Sequence, residues 1–341
     1  MKNKKMNHNL FFSRTNDFLN KFLSDQAAKS QNTIETYRDG LTIFRRYVTD
    51  ICHLSIRNFS FSDCTHDFML DYLAYLKVSG CEASTCNNRL AALRAYLWYA
   101  SDVDVSLQSI ALSASHVPLL KEPKKNRSII NDEDMAALLA APSETKSGIR
   151  DKVLLILLYD SAIRVSELLD LKVSSLNLNS TTPCLHVHGK GGKDRVVAIT
   201  DKAARHLQKY IRRYHPDGEL DIPLFYTTIK GNTASMSPGN VARIINKYAE
   251  QIRPEHPDLP EHIHPHMFRR TRATGLYRSG VELELVSVIL GHSSTQTTRI
   301  YATPSVEMIR EAMTSSDPKV PEEEPEWLAD EEELARLCGL R

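Results

Sequence analysis

The sequence predicts a mainly α fold with a small antiparallel β-sheet, in two domains. Three observations predict it. Apolar residues recur at spacings of three and four over most of the chain, as in Phe18 and Phe22 and then Tyr37, Leu41, Phe44 and Tyr47. Two short runs, CLHVHG and RVVAIT, read as strands on either side of KGGKD, a turn-forming stretch. Between the helical front and the rest lies SASHVPLLKEPKKNRS, where Pro118 and Pro123 break helices and Lys121, Lys124, Lys125 and Arg127 solvate the segment.

In the front, four helices are expected, roughly over 15–28, 33–51, 65–79 and 83–101. FMLDYLAYL carries the third from Phe68, and NNRLAALRAYLWYA carries the fourth from Asn87, with Leu90, Leu93 and Leu97 on one stripe. Thr33 is placed to cap the second helix near Ile34, because Glu35 follows in its first turn. Behind the basic segment, DEDMAALLAA and GIRDKVLLILLYDSA have helical patterns, the strand pair forms a hairpin, and further helices are expected near 201–214, 239–250, 266–279, 282–290 and 305–314. The expected division is therefore a helical domain over 1–112, a basic linker over 113–128, a second domain over 129–316 and an acidic tail over 317–341.

Composition narrows the function classes. The chain has 341 residues, 42% hydrophobic and 25% charged, ordinary for a globular protein of two domains. No run of about 18 apolar residues suggests a membrane span, and the start has no secretory pattern. The expected location is the cytoplasm, beside the nucleoid. Six cysteines (Cys52, Cys64, Cys81, Cys86, Cys184 and Cys338) contain no C-x-x-C pair and read as reduced thiols. The net charge of +1 hides an asymmetry: residues 317–341 hold nine acids and three bases, against 33 acids and 40 bases in residues 1–316. A basic body with an acidic tail suits a polyanionic partner.

Four segments carry the chemistry: AIRVSELLDL (162–171), HGKGGKDR (188–195), HPHMFRRTRAT (264–274) and LGHSSTQTTRIYA (290–302). Each alone has a plain reading. Arg164 is a partner for Glu167 one turn on, Lys190 is a solvated turn residue, His292 is a cap and Tyr301 is a core aromatic. Together, and in this order, the segments resemble the four catalytic motifs of the tyrosine recombinase (phage integrase) family. The resemblance covers the whole second domain, and the helical front resembles that family's SAM-like core-binding domain.

The residue types suit phosphodiester exchange. Two guanidiniums, Arg164 and Arg269, can fork onto the non-bridging oxygens of a phosphate as negative charge grows there. Preorganised donors of this kind are worth roughly 3–4 kcal/mol each. Tyr301 offers a phenol of pKa about 10, which needs a cationic surround to act near neutrality. Covalent attack would store the bond energy for religation. The resemblance implies a 3′-phosphotyrosine intermediate, Lys190 as general acid to the leaving 5′-oxygen, His266 as acceptor or relay of the Tyr301 proton, His292 as a hydrogen-bond donor to the phosphate, and Glu167 as an accessory residue that orders its neighbours. Two departures stand out: Phe268-Arg269-Arg270 replaces the more usual leucine-arginine-histidine, and Ser161-Ala162-Ile163 replaces threonine-glycine-leucine. Ala162 is expected to be tolerated because it is small.

Further DNA contacts are expected from Thr33, Tyr37, Arg38, Asn87, Asn88, Arg89 and Arg94 in the front, and from Lys193, Arg195, Arg270 and Arg272 behind. The cluster His262, His264 and His266 invites a metal reading, but Pro265 and the helix behind it argue against one. No metal or cofactor is expected. The resemblance implies double-stranded DNA as partner, a tetramer on two duplexes, and in some systems a partner recombinase. The segment VEMIREAM is expected to dock on a neighbouring protomer. A type IB topoisomerase, or a DNA-binding accessory protein without catalysis, is the alternative.

Overall fold

The computed structural model describes residues 9–122, 128–189, 192–216, 218–229, 231–292, 295–299, 304, 308–310 and 330–340, and for 193, 229, 295 and 296 the backbone alone. The chain divides into two compact units, Met1–Asn126 and Arg127–Arg341.

The front unit is helical. A short entry (Phe11–Arg14 as a 3₁₀ turn, Thr15–Asp17 as an α turn and Phe18–Gln26 as π-helix) leads into helices Gln31–Arg46, His66–Val78, Ala83–Val103 and Gln108–His116. The four expected helices are present. The second begins earlier than expected: Ser30, with extended backbone, is the cap and accepts from the Thr33 N–H, so Thr33 is an interior first-turn residue. The core is aromatic. The Phe11 ring lies 5.2–5.5 Å from Phe44, Phe59, Phe61 and Tyr96. Gly40 lets the Gln31–Arg46 and Ala83–Val103 helices approach closely, since a Cβ there would lie 2.9 Å from the Ala92 methyl.

The segment expected to be a linker from residue 113 belongs in good part to this unit. Ala111 and Ala114 are fully buried on the Gln108–His116 helix, and Val117 is buried after it. Pro118 ends the helix by forcing Val117 to extended backbone (φ −61°, ψ 123°). The sequence conceals this helix because its contacts use alanine methyls rather than a stripe of large apolar residues.

In the second unit, helices Asp132–Ala140, Lys146–Asp160, Val165–Asp170, Asp201–Tyr214, Pro238–Ile252 and Pro265–Arg278 surround one apolar core, in which Leu154, Leu157, Leu207, Val241, Ile245 and Phe268 are all buried. The Leu283–Leu290 helix packs separately, its Val286 and Leu290 forming a small cluster with Ala162 and Ala273. Asn131, Thr145, Thr200 and Ser237 each cap a helix by accepting a first-turn N–H. Pro238 and Pro265 stand at first-turn positions, where their missing N–H costs nothing.

The expected hairpin is formed by β2 (Cys184–Gly189) and β3 (Lys193–Ala198), antiparallel from Cys184↔Ala198 to Gly189↔Lys193, with the short β1 (Leu176–Asn177) on the far side of β2. Leu185, Val187 and Val197 face the core, whereas Val196 is exposed. A second hairpin, β4 (Tyr226–Ile229) with β5 (Asn232–Ser235), was not foreseen. All four β5 residues are exposed, so no apolar alternation marks the strand; the signal available was a Lys-Gly turn flanked by β-branched residues.

Among the described residues no helix is long and apolar enough to cross a membrane. Of the helix expected over 305–314, residues 308–310 are described and helical. In the acidic tail, Glu331–Leu337 forms a helix capped by Asp330.

Candidate active site

Arg164 occupies the N-cap of the Val165–Asp170 helix, and Glu167 stands at its third position. The Glu167 carboxylate folds back to accept the Arg164 backbone N–H at 2.8 Å and its Nη1 at 2.7 Å. The spacing of three therefore does two jobs: it closes the helix end and fixes a guanidinium. The Arg164 side chain keeps 31% of its surface exposed, so the group remains available to a ligand.

Arg269 is held differently. It is 2% exposed on the Pro265–Arg278 helix, and its Nη1 donates to the Ala162 carbonyl at 2.7 Å. Its Nη2 donates to the Leu290 carbonyl at 2.6 Å and to His292 Nε2 at 3.0 Å. Backbone carbonyls thus set the orientation of a permanently charged fork. His292 Nδ1 meets Thr298 Oγ1 at 2.8 Å. A guanidinium cannot accept, so Nε2 is the acceptor and the proton of the neutral ring sits on Nδ1. Burial, then the charges of Arg269, Arg164 and Arg195, push the His292 pKa down to about 4. In this arrangement His292 orients Arg269, and Nε2 has no proton to offer a phosphate.

His266 lies exposed one turn before Arg269. Burial of part of its ring and the Arg269, Arg164 and Arg270 charges hold its pKa below the usual imidazole value, so it is a neutral acceptor near pH 7. Burial alone would raise the pKa of Glu167. Hydrogen bonds from Arg195 and Arg164 override it and hold the carboxyl at about 2. Glu167→Gln should therefore remove the negative partner of two guanidiniums and cost about 3–5 kcal/mol, the usual result of breaking a buried pair. Urea denaturation measures it, and a loss below about 1 kcal/mol would contradict it.

Ala162 has φ +51° and is fully buried. It tolerates the left-handed region that glycine prefers, and its carbonyl must point at Arg269. Ala162→Val should cost about 2 kcal/mol or more, because a β-branched residue is poorly accommodated there, whereas Ala162→Gly should be near neutral, strain relief offsetting the lost methyl. Thermal melts of both variants check this.

The structure thus brings together Arg164, Glu167, His266, Arg269 and His292. Lys190 and Tyr301 lie outside the described residues. Of the expected DNA contacts, several side chains have partners inside their own unit. Asn87 bonds the Leu120 backbone in both directions and Glu122 at 3.2 Å. Arg94 donates to the Ala114 carbonyl at 2.9 Å and to the Val117 carbonyl, and Arg89 reaches the Cys81 sulfur at 3.1 Å. Asn87 and Arg94 thereby dock residues 114–122 on the fourth helix. Tyr37 stacks on Phe18, Arg38 donates to Asn20, and Asn88 is exposed. In the second unit Arg270 donates to the Ser128 carbonyl, and Arg272 lies over the Tyr159 ring beside Asp160. Arg195, expected on DNA, has its fork on Glu167. Backbone alone is described for Lys193, in β3. Sequence reasoning missed Thr298, although a threonine within reach of the Gly-His motif was its available signal.

Residues 128–308 match the phage integrase family, and residues 16–102 match its N-terminal SAM-like domain. The chain belongs to the phage integrase family. It is a site-specific recombinase by class, a DNA strand-transferring enzyme; neither the topoisomerase nor the accessory reading is favoured. A protein named tyrosine recombinase XerC from Pelobacter propionicus is 31% identical over 268 residues, 77% of this chain and 83% of that protein. One of the same name from Staphylococcus carnosus is 26% identical over 298 residues, 86% of this chain and 94% of that protein. Among solved structures, XerH recombinase in a post-cleavage complex with a palindromic difH substrate has a TM-score of 0.65 at 22% identity, covering 87% of this chain and 83% of that one. The Tn1549 transposon integrase with transposon right-end DNA has a TM-score of 0.66 at 17% identity, covering 89% and 99%. These two share the fold.

Proposed function

We propose that this recombinase cleaves and rejoins duplex DNA at a specific site through Tyr301, with the scissile phosphate held between Arg164 and Arg269. The observation that carries the reading is the convergence of two anchored guanidiniums, from helices more than 100 residues apart in sequence, beside a neutral histidine. In the proposed step the Tyr301 oxygen bonds to phosphorus as the P–O5′ bond breaks. His266 accepts the phenol proton, and Lys190 protonates the departing 5′-oxygen. Religation is the reverse, with the 5′-hydroxyl as nucleophile and the phenol as leaving group. Burial first, and then the neighbouring guanidinium charges, disfavour a second proton on His292, so its part in this step is to orient Arg269 rather than to donate to the phosphate.

The helical unit, the segment over 113–128 and the second unit act together on DNA, with Thr33, Tyr37, Arg38, Asn88, Lys193, Arg270 and Arg272 as candidate contacts. The active form is a tetramer on two duplexes, made of one or two kinds of recombinase, working beside the nucleoid in the cytoplasm. A nicked suicide substrate, from which the short 5′-hydroxyl strand diffuses away, tests the reading. Purified protein should accumulate a covalent adduct at one site in the DNA. Absence of any adduct would sink the proposal, and relaxation of supercoiled DNA at no particular site would point to a topoisomerase.

A further inference from the structure

Arg195 touches both supports of the phosphate-binding arginines. It lies on β3 opposite Val187, and its side chain is 15% exposed. Nη1 donates to Glu167 Oε1 at 3.1 Å and Nη2 to Oε2 at 2.9 Å, a two-pronged pair across 28 residues of sequence. The same carboxylate holds Arg164. The Arg195 side chain also passes beneath Gly291, the left-handed residue (φ +65°) that ends the Leu283–Leu290 helix. A Cβ on Gly291 would lie 2.6 Å from Nε, 2.7 Å from Cζ and 2.8 Å from Cδ of Arg195. Glycine is thus required twice, by its backbone angle and by the guanidinium under it. His292, the next residue, bonds Arg269.

We propose that Arg195 is a positioning residue, which registers the β2–β3 hairpin, Glu167 and the Gly291–His292 turn to one another. One arm runs through Glu167 to Arg164, the other through the Gly291 turn and His292 to Arg269. Lys190, the expected general acid, follows Gly189 at the end of β2, so the strand pair that Arg195 anchors is the one that leads to it. A lysine in this place keeps the charge but cannot fork onto both carboxylate oxygens in plane. The part played in cleavage rests on the recombinase reading; the coupling between Arg195 and Gly291 does not.

The experiment uses full-length wild type, Arg195→Met, Arg195→Lys, Gly291→Ala and the double variant Arg195→Met/Gly291→Ala. Single-turnover cleavage of the suicide substrate at saturating protein should fall about 100-fold in Arg195→Met, the scale of a displaced catalytic group, with Arg195→Lys intermediate. Affinity for the site and its salt dependence should stay at the wild-type values. Loss of affinity with unchanged cleavage at saturation would make Arg195 a DNA contact and overturn the proposal, as would wild-type cleavage by the folded fraction of Arg195→Met. Thermal denaturation without DNA provides the second reading. Gly291→Ala should lower Tm much less in the Arg195→Met background than in wild type, because a methionine is not tied to Glu167 and can turn away from the new methyl, which leaves mainly the left-handed strain. Equal Tm losses in the two backgrounds would refute the contact between the two segments. If wild type itself forms no adduct, the recombinase reading fails, and the denaturation cycle still decides the coupling.

Discussion

Tyr301→Phe should form no covalent protein–DNA product, with strand cleavage reduced on the order of 10⁴-fold or more, the scale seen when a nucleophile is deleted. The substitution keeps the ring and removes only the hydroxyl, so affinity for DNA should be unchanged within about twofold, there being no charge to lose. On the proposed mechanism water is a poor substitute for the phenol, and hydrolysis would leave no stored bond for religation. The measurement is adduct yield on the nicked substrate by denaturing electrophoresis, beside a binding titration. Undiminished adduct in this variant would remove Tyr301 from the mechanism and direct the search to another nucleophile.

Arg269→Lys should lower the single-turnover cleavage rate about 10²–10³-fold, the loss typical of one preorganised donor. The charge survives, so a purely electrostatic role would predict almost no effect. What is lost is geometry. The Arg269 guanidinium donates at once to the carbonyls of Ala162 and Leu290 and to His292 Nε2, from a site only 2% exposed. A single ammonium on a flexible stem cannot span those acceptors and also present two parallel N–H bonds to a phosphate. Unmet carbonyls should also lower Tm, since a buried acceptor without a donor costs about 1–3 kcal/mol. Wild-type cleavage in Arg269→Lys would mean that charge alone suffices.

Much of the site can be read along the chain because its parts are local. Arg164 and Glu167 are three apart, the spacing of a helix cap and the third helical position, and His266 and Arg269 are three apart on one face of one helix. The β2–β3 hairpin is legible for the same reason: alternation and a glycine turn act within a dozen residues. The β4–β5 hairpin is not, because neither face of β5 is buried and hence no pattern marks it. The helix over Gln108–His116 is hidden by its alanines, and Asn87 and Arg94 look like DNA readers until the chain that they hold is in place.

The sequence by itself determined the mainly helical class, the order of the four motifs and the residue types able to grip a phosphate, since these follow from periodicity and side-chain chemistry. Tertiary structure alone decided that Arg195 answers Glu167 rather than solvent, that Ala162 takes a left-handed turn to aim its carbonyl at Arg269, and that His292 keeps its proton on Nδ1. Those contacts join residues 28, 107 and 23 positions apart. At such separations no local period applies, and partners are chosen by how the helices and the hairpin pack around a common core.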